Sequence, residues 1–275
     1  MSGTLYVVGT PIGNLGDLSP RAIETLEKVD FIAAEDTRVT LKLLNHFEIK
    51  KPMVSYYEHN IRQRGEMIID RLLQGESCAI VTDAGMPCIS DPGEDLVALC
   101  AQHGIPTVVV PGPSAAISAL AVSGLSTSRF SFEGFLTTNK RGRQEHLQSL
   151  TDDPHTLIFY EAPHKLTSTL KDMLEVLGDR PIALVRELTK LHEEVFRTTL
   201  AQAVEHYTAN TPRGEFVLVV AGAQPKDTKE EISFEEAVEM VKALQQENLP
   251  ASEAAKRIAK ETGYKKSELY KAALA

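Results

Sequence analysis

The chain has 275 residues, 43% of them hydrophobic, enough for two medium domains or one large one. No stretch approaches the roughly 20 apolar residues of a membrane span, and the N-terminus lacks the basic-then-apolar pattern of a secretory signal. A net charge of −9 argues against coating nucleic acid non-specifically but leaves room for a local basic cleft, and Cys78, Cys88 and Cys100 are too few and ill-spaced for a disulfide framework or zinc site, so a reducing cytoplasm is the simplest home.

In chain order, Leu5–Val8 is a short apolar run ending at Gly9 and reads as a buried strand. Ser19-Pro20 opens a helix, with serine as cap and proline in the first turn. Phe31–Ala34 is a second strand, and Leu41–Phe47 and Ile61–Leu73 have helical spacing. Ala79–Val81 is a strand leading to Asp91-Pro92, predicted to be another cap-plus-proline helix start. Thr107–Val110 follows and breaks at Pro111-Gly112-Pro113-Ser114. Alternating strands and helices with wholly apolar strands predict a parallel sheet covered on both faces.

Beyond Arg129 the texture changes. Phe130–Phe135 alternates like a half-exposed strand, and further strands are predicted at Thr156–Tyr160, Ile182–Val185, Glu194–Thr198 and Phe216–Ala221, with helices at Lys165–Leu177 and Leu200–Tyr207. This predicts a second α/β domain with a mixed sheet. The expected division is 1–112, 113–225 and a helical extension over 226–275, entered through a polar linker at Gln224–Glu231. In the extension, Phe234–Gln246, Ser252–Glu261 and Lys266–Leu274 read as helices, with Ser252 and Ser267 as caps and Gly263 as a break that suggests a helix-turn-helix.

Three turns follow strands and are candidates for a ligand site at strand carboxyl ends. Gly9-Thr10-Pro11-Ile12-Gly13 is neither a dinucleotide fingerprint nor a phosphate loop, so it is a ligand turn or a tight βα turn. In Thr82-Asp83-Ala84-Gly85-Met86-Pro87, Asp83 could accept from ribose hydroxyls or an ammonium while Met86 and Ile89 flank an adenine, or Asp83 could simply form the turn. Pro111–Ala116 enters a helix with small residues, as a donor-rich terminus or a hinge. Glu35, Asp36 and Arg38 sit at a strand end and could be a cap and an ion pair. The run Arg186–Glu194 could supply a proton-transfer group or be solvated. Thr137–Arg143 is read as a flexible basic loop able to grip phosphate, or as a surface charge cluster. The eight histidines show no metal spacing.

Taken in order, these turns together with Tyr57-Glu58-His59-Asn60, Phe132–Leu136, Tyr160–His164 and Arg186–Lys190 resemble the ribosomal RNA methyltransferase branch of the tetrapyrrole (corrin/porphyrin) methylase superfamily, over essentially the whole chain. The resemblance implies a two-domain α/β methylase fold, parallel sheet first and mixed sheet second, plus the small helical extension. It also implies a homodimer that binds S-adenosylmethionine between domains and methylates the ribose 2′-oxygen of a decoding-centre cytidine, cytidine 1402, of 16S rRNA in the small ribosomal subunit. Carried over by position, donor contacts fall on Pro11 and Ile12, on Asp83, Ala84, Gly85, Met86 and Ile89, and on Ser114 and Ala115. Further donor contacts fall on Tyr160, Glu161 and Ala162, on Leu188, and on Gly214, Glu215 and Phe216. Pro11 and Ile12 depart from the superfamily's Gly-Pro at that turn, and Leu136-Thr137-Thr138 stands where Leu-Pro and basic residues are expected.

Loss of the hydroxyl proton invites a general base. The candidates, by their place after cleft-lining strands, are Lys190 and Glu187, then Glu35 and Asp36. Arg38, Lys140, Arg141 and Arg143 are the candidate RNA contacts, and the chemistry requires no metal. The rivals are a tetrapyrrole methylase, which shares the donor site, a non-catalytic RNA-binding assembly factor, and a dinucleotide-dependent oxidoreductase, disfavoured by the broken glycine fingerprint.

Overall fold

The computed structural model describes residues 2–224, 232–247 and 249–274. The predicted linker beyond Gln224 lies outside the described residues. Residues up to Ala223 form one compact unit, and those from Gln224 onward form a second.

The first sheet contains β1 (Leu5–Val8), β2 (Phe31–Ala34), β3 (Met53–Ser55), β4 (Cys78–Val81) and β5 (Thr107–Val110), in the order β3-β2-β4-β1-β5. Every pairing is parallel. Because side chains alternate along a strand, Leu5, Phe31, Cys78 and Ile80 face one layer, where they meet Ile68 and Leu72 of α3 (Ile61–Leu73) and Leu96 and Cys100 of α4 (Glu94–Gln102). Val8, Ile32, Ala34, Ala79 and Val81 face the other, against Ala22 and Leu26 of α1 (Pro20–Lys28) and Leu44 of α2 (Thr37–His46). Ser19 caps α1 through the Ala22 N–H, as its sequence suggests. The three-residue β3 is too short to stand out in the sequence and is not among the predicted strands.

The second sheet has β6 (Phe130–Phe135), β7 (Thr156–Glu161), β8 (Pro181–Arg186), β9 (Glu194–Thr199) and β10 (Phe216–Val220), ordered β6-β7-β10-β8-β9. It is mixed: β6 and β7 run parallel, and the remaining pairs are antiparallel. Helix α5 (Ala115–Ser123) covers one face, burying Ala116, Ala119 and Leu120 against Ile158, Ala183, Val217 and Val219. Helices α6 (Lys140–Ser149), α7 (Pro163–Leu177) and α8 (Leu200–Ala209) cover the other, around Leu147, Leu166, Leu170 and Leu200. The chain changes sheets between β5 and α5, on the segment carrying Pro111 and Pro113.

Three expectations are corrected. Asp91-Pro92 does not start a helix: α4 begins at Glu94 after Gly93, whose φ of 133° admits no side chain easily, and a Cβ there would lie 2.7 Å from Cys88 Sγ and Ile80 Cδ1. Lys140–Arg143 is not a flexible loop but the first turn of α6, because Asn139 caps it by accepting the Gly142 N–H at 3.1 Å. Ser252 and Ser267 are not caps, since they lie inside α10 (Ala251–Thr262) and α11 (Lys266–Leu274).

In the second unit, α9 (Phe234–Gln246), α10 and α11 enclose their own core of Val238, Val241, Ala254, Ile258 and Leu269. Ser233 and Glu236 form a reciprocal capping box at the start of α9. Gly263, at φ 81°, turns the chain between α10 and α11.

Candidate active-site cleft

The turns at the carboxyl ends of β1, β2, β4 and β5 face residues of the second sheet across a cavity of about 460 Å³, within the usual size of small-molecule sites. The first-sheet turns are locked to one another. Thr10 and Gly85 exchange backbone hydrogen bonds at 2.9 and 3.2 Å, and the Thr10 hydroxyl donates to Thr82 O at 3.1 Å. Gly9 and Gly112 touch backbone to backbone: a Cβ on Gly9 would stand 2.7 Å from both Gly112 Cα and Met86 Sδ. Met86 Sδ in turn accepts the Gly112 N–H at 3.3 Å. The glycine of the opening turn is therefore required by the neighbouring turn, and Ile12 is the residue of that turn that reaches the cavity.

Of the residues expected to contact a donor, Ile12, the run Asp83–Met86 and Ile89 line the cavity from the first sheet's side, and Ser114 and Ala115 line it from the start of α5. Tyr160, Glu161, Ala162, Leu188, Glu215 and Phe216 line it from the other. The Tyr160 ring stands edge-on to Phe132 and Phe135, and its hydroxyl accepts the Ala116 N–H at 3.2 Å, tying β7 to the start of α5. Glu161 is spoken for: its carboxylate pairs with Lys165 at 3.0 Å and accepts the Thr169 hydroxyl at 2.6 Å and the Ala162 N–H at 2.8 Å. Pro11 and Gly214 do not line the cavity; a Cβ on Gly214, at φ 80°, would fall 2.6 Å from Glu187 Oε1, so this glycine makes room for Glu187.

One end of the cavity is acidic. Glu35 accepts the Thr82 hydroxyl at 2.6 Å and the Asp83 N–H at 3.4 Å, and Asp83 Oδ1 accepts the Asp36 N–H at 3.2 Å. Burial, then the charge of Glu35, raises the Asp83 carboxyl above its ordinary range. Asp91 also lines this end, and burial followed by the Glu35 charge pushes it up to about 6, only partly offset by the nearby Thr82 hydroxyl. Asp36 points elsewhere: it caps α2 by accepting the Arg38 N–H at 2.8 Å, and the Arg38 side chain, 2.6 Å away, holds it down at about 2.

Among the described residues, Lys190 is the one cation lining the cavity. Its ammonium lies 2.9 Å from Glu215 and 3.1 Å from Glu187. Burial opposes the ammonium, but those hydrogen bonds outweigh it and raise the pKa above the ordinary lysine value. The Glu215 N–H donates to Glu187 at 3.0 Å and, ahead of Lys190, depresses the Glu187 carboxyl. Glu187 itself is drawn behind Lys190, outside the lining. Gly13 gives Lys190 its place, since a Cβ there would lie 2.5 Å from Lys190 Cγ. Two loops of the site carry non-glycine residues at positive φ: Cys88 (72°) and Ser90 (61°), Glu187 (51°) and Thr189 (65°). Such strain gathers at sites where the surroundings over-determine the backbone.

The expected RNA contacts do not converge on the cavity. Arg143 is buried, 2.5 Å from Asp172, and donates to the carbonyls of Thr137 and Thr138, which gives it a structural role in place of a phosphate contact. Lys140 lies 3.9 Å from the same Asp172. Arg38 and Arg141 are exposed, Arg141 pairing with Glu145 at 2.8 Å. Sequence reasoning missed Thr82, Ser90, Asp91, Phe135, Pro163, Val185 and Val217, all of which line the cavity. Asp91 is legible as an acid near the site, but Asp-Pro has the composition of a helix start, which hides it.

An acid with a raised folded pKa keeps its proton after the unfolded chain has lost it. Asp91 therefore costs stability as pH climbs from its ordinary 3.8 through about 6. Asp91→Asn is expected to unfold at a higher temperature than the native chain at pH 7.5 and at nearly the same temperature at pH 3.5, as thermal melts at the two pH values would show.

Residues 4–204 match the family model described as Tetrapyrrole (Corrin/Porphyrin) Methylases, and residues 231–275 match the one described as RsmI C-terminal HTH domain. The chain is 49% identical over 273 residues to Ribosomal RNA small subunit methyltransferase I of Synechocystis sp., with 99% of this chain and 98% of that protein covered. It is 47% identical over 270 residues to the protein of that name from Halalkalibacterium halodurans, covering 98% and 93%. Solved structures with a similar fold include a diphthine synthase (TM-score 0.59, 13% identity, 80% of this chain and 90% of that chain). They also include a cobalt precorrin-4 methyltransferase (TM-score 0.58, 19% identity, 78% and 94%). At those identities the likeness concerns the fold alone.

Proposed function

The chain belongs to the tetrapyrrole (corrin/porphyrin) methylase family, in the group of ribosomal RNA small subunit methyltransferase I, and from that premise we propose that it transfers a methyl group from S-adenosylmethionine to the ribose 2′-oxygen of cytidine 1402 in the decoding centre of 16S rRNA. In this reading the substrate is presented in the small ribosomal subunit, and the enzyme works in the cytoplasm as a homodimer. Its domains are 1–112, 113–225 and the helical 226–275.

The observation that carries the reading is the cavity itself, with a carboxylate end and an apolar wall in one space. Ile12, Met86, Ile89, Leu188 and Phe216 offer the apolar surface an adenine needs, while Asp83 and Asp91 suit ribose hydroxyls and a positively charged donor. S-adenosylmethionine, when bound, supplies an already activated methyl group. What remains for the chain is to hold and align the reactants, exclude water and accept one proton.

Lys190 is held as an ammonium by two carboxylates, and Glu187 is engaged by Lys190 and the Glu215 N–H and does not line the cavity. The acceptor is therefore placed among the carboxylates lining the cavity, Glu35 and Asp91, the latter titrating near working pH. Single-turnover methylation at saturating donor tests this: Glu35→Gln and Asp91→Asn both retaining native rates would remove the two from the role. Asp91 must be ionised to favour a cationic donor, so donor affinity measured by calorimetry is expected to fall from pH 7 to pH 5, and to fall less in Asp91→Asn.

Support for a dimer comes from α5, which is apolar on all sides yet leaves Ile117 and Val122 51% and 40% exposed. A helix of that composition is normally covered on every face. Arg38, Lys140 and Arg141 are kept as RNA contacts. The deciding experiment is mass mapping of small-subunit rRNA incubated with and without the protein. A ribose methyl on cytidine 1402 that depends on the protein supports the reading, and methylation of a porphyrinoid but not of the subunit would replace it with the tetrapyrrole alternative.

A further inference from the structure

The second unit separates its charges by helix. Helix α9 carries Glu235, Glu236 and Glu239 against Lys242, while the segment from α10 to the end of α11 carries Lys256, Arg257, Lys260, Lys265, Lys266 and Lys271 against Glu253, Glu261 and Glu268. A local excess of cations in a chain of net charge −9 is a feature to be explained. All six are exposed. Arg257 is loosely paired with Glu261 at 3.5 Å and Lys265 with Glu268 at 3.4 Å. Lys256, Lys260, Lys266 and Lys271 have no ion pair among the described residues.

The fold arranges these charges on two short helices. Helix α10 turns Ala254, Ala255 and Ile258 inward, so Lys256 and Lys260, one turn apart, share an outer face. Gly263 then reverses the chain, and α11 restarts three residues later with Leu269 as its buried anchor. Away from Leu269, α11 exposes Ser267, Glu268, Tyr270, Lys271 and Leu274, with Lys266 at its start and Glu268 paired with Lys265. This is the layout of a helix-turn-helix, in which the second helix meets nucleic acid. The exposed residues of α11 include no Arg, Asn or Gln, and Arg257 on α10 is paired with Glu261. Lysines bind phosphate as point charges, without regard to sequence.

We propose that the outer face of α10 and α11, built on Lys256, Lys260, Lys266 and Lys271, is a phosphate-binding surface for structured RNA, which anchors the enzyme on its substrate by shape rather than by base sequence. The proposal rests on the rRNA reading above. A surface made mainly of lysines suits a protein whose target is singled out by the folded particle around it.

The test compares the full-length native chain with the triple variant Lys260→Glu, Lys266→Glu, Lys271→Glu in binding purified small subunits over a range of salt. The variant is expected to bind at least about tenfold more weakly at 0.1 M salt and to show a shallower dependence of log K on log salt, by about 0.9 for each phosphate no longer neutralised. The Lys→Arg triple variant is expected to retain both. Donor affinity, set in the other unit, is expected to stay unchanged in either variant. Native affinity and salt slope in a glutamate variant of native helicity would overturn the proposal; should that variant not fold, the Lys→Gln triple variant provides the same comparison. Tighter binding to duplex DNA than to duplex RNA of equal length would overturn it too. A native chain that binds the donor yet neither binds nor methylates small subunits would instead sink the rRNA reading and the surface with it, whereas native methylation with an unaffected triple variant would sink the surface alone.

Discussion

Arg143→Ala is expected to destabilise the protein by about 3–5 kcal/mol in urea unfolding, the usual cost of removing one partner of a buried ion pair. The guanidinium and Asp172 are both almost wholly excluded from water, 29 residues apart in sequence, and they join α6 to α7. Removing the cation strands a carboxylate that Lys140, 3.9 Å away and largely exposed, compensates poorly. It also releases the carbonyls of Thr137 and Thr138 that Arg143 satisfies. RNA affinity per folded molecule should be unchanged, because the side chain never faces solvent. The reverse pattern, native stability with weakened RNA binding, would restore Arg143 to the phosphate-contact role that its sequence neighbourhood suggests. Replacing both partners together by Met and Leu should recover part of the loss, since it leaves no buried charge unpaired, though the Thr137 and Thr138 carbonyls stay without their donor.

The second large effect is expected from Gly9→Ala. The added methyl would meet Gly112 Cα and Met86 Sδ at 2.7 Å and Gly112 N at 2.8 Å. Met86 can shift, but the Gly112 backbone cannot without dragging the β5 turn. A cost of about 3 kcal/mol is expected, at the upper end of ordinary overpacking. Unlike a surface change, it should also weaken donor binding, because Met86 and the Asp83–Met86 turn are pushed toward the cavity they line. Gly104→Ala is the control: Gly104 has φ 65° but nothing within 4 Å of its missing Cβ, so only backbone strain of about 1–2 kcal/mol applies. Gly9 itself is not at positive φ, so a loss there no larger than at Gly104 would show that small shifts of Met86 and Gly112 relieve the close approach.

Much of the fold was legible because its signals are local. Four apolar residues ending in glycine made β1, and Ser19-Pro20 made the start of α1. Two of the errors trace to packing that the local sequence does not show. Asp91-Pro92 has the composition of a helix start, but the start slipped to Glu94 because Gly93 packs against Cys88 and Ile80. Arg143 looked solvated because Asp172 lies far off in sequence. The same holds at the site. Many of the cavity-lining residues on turns were among those expected, since turns after parallel strands converge on one edge, but Thr82, Ser90 and Asp91 after β4 were not. The steric duties of Gly9, Gly13 and Gly214 toward Gly112, Lys190 and Glu187 were invisible, as each needs a partner known only from three dimensions. The standing of Lys190 as a fixed cation was hidden likewise, because Glu215 lies 25 residues away.

The strand order of the first sheet also bears on how the chain is made. The first of these strands to leave the ribosome, Leu5–Val8, is an inner strand whose two neighbours are β4 and β5. Until Cys78–Val81 has been synthesised it has no partner, and its second flank stays bare until Val110. A nascent chain cut short before that point holds a sticky apolar segment with nothing to pair with, the kind of species that aggregates or needs a chaperone. Parallel pairing at such separation also makes refolding from denaturant slow. The stretch of translation from β1 to β5 is thus the vulnerable interval, and it closes when the segment that becomes the sheet's far edge emerges.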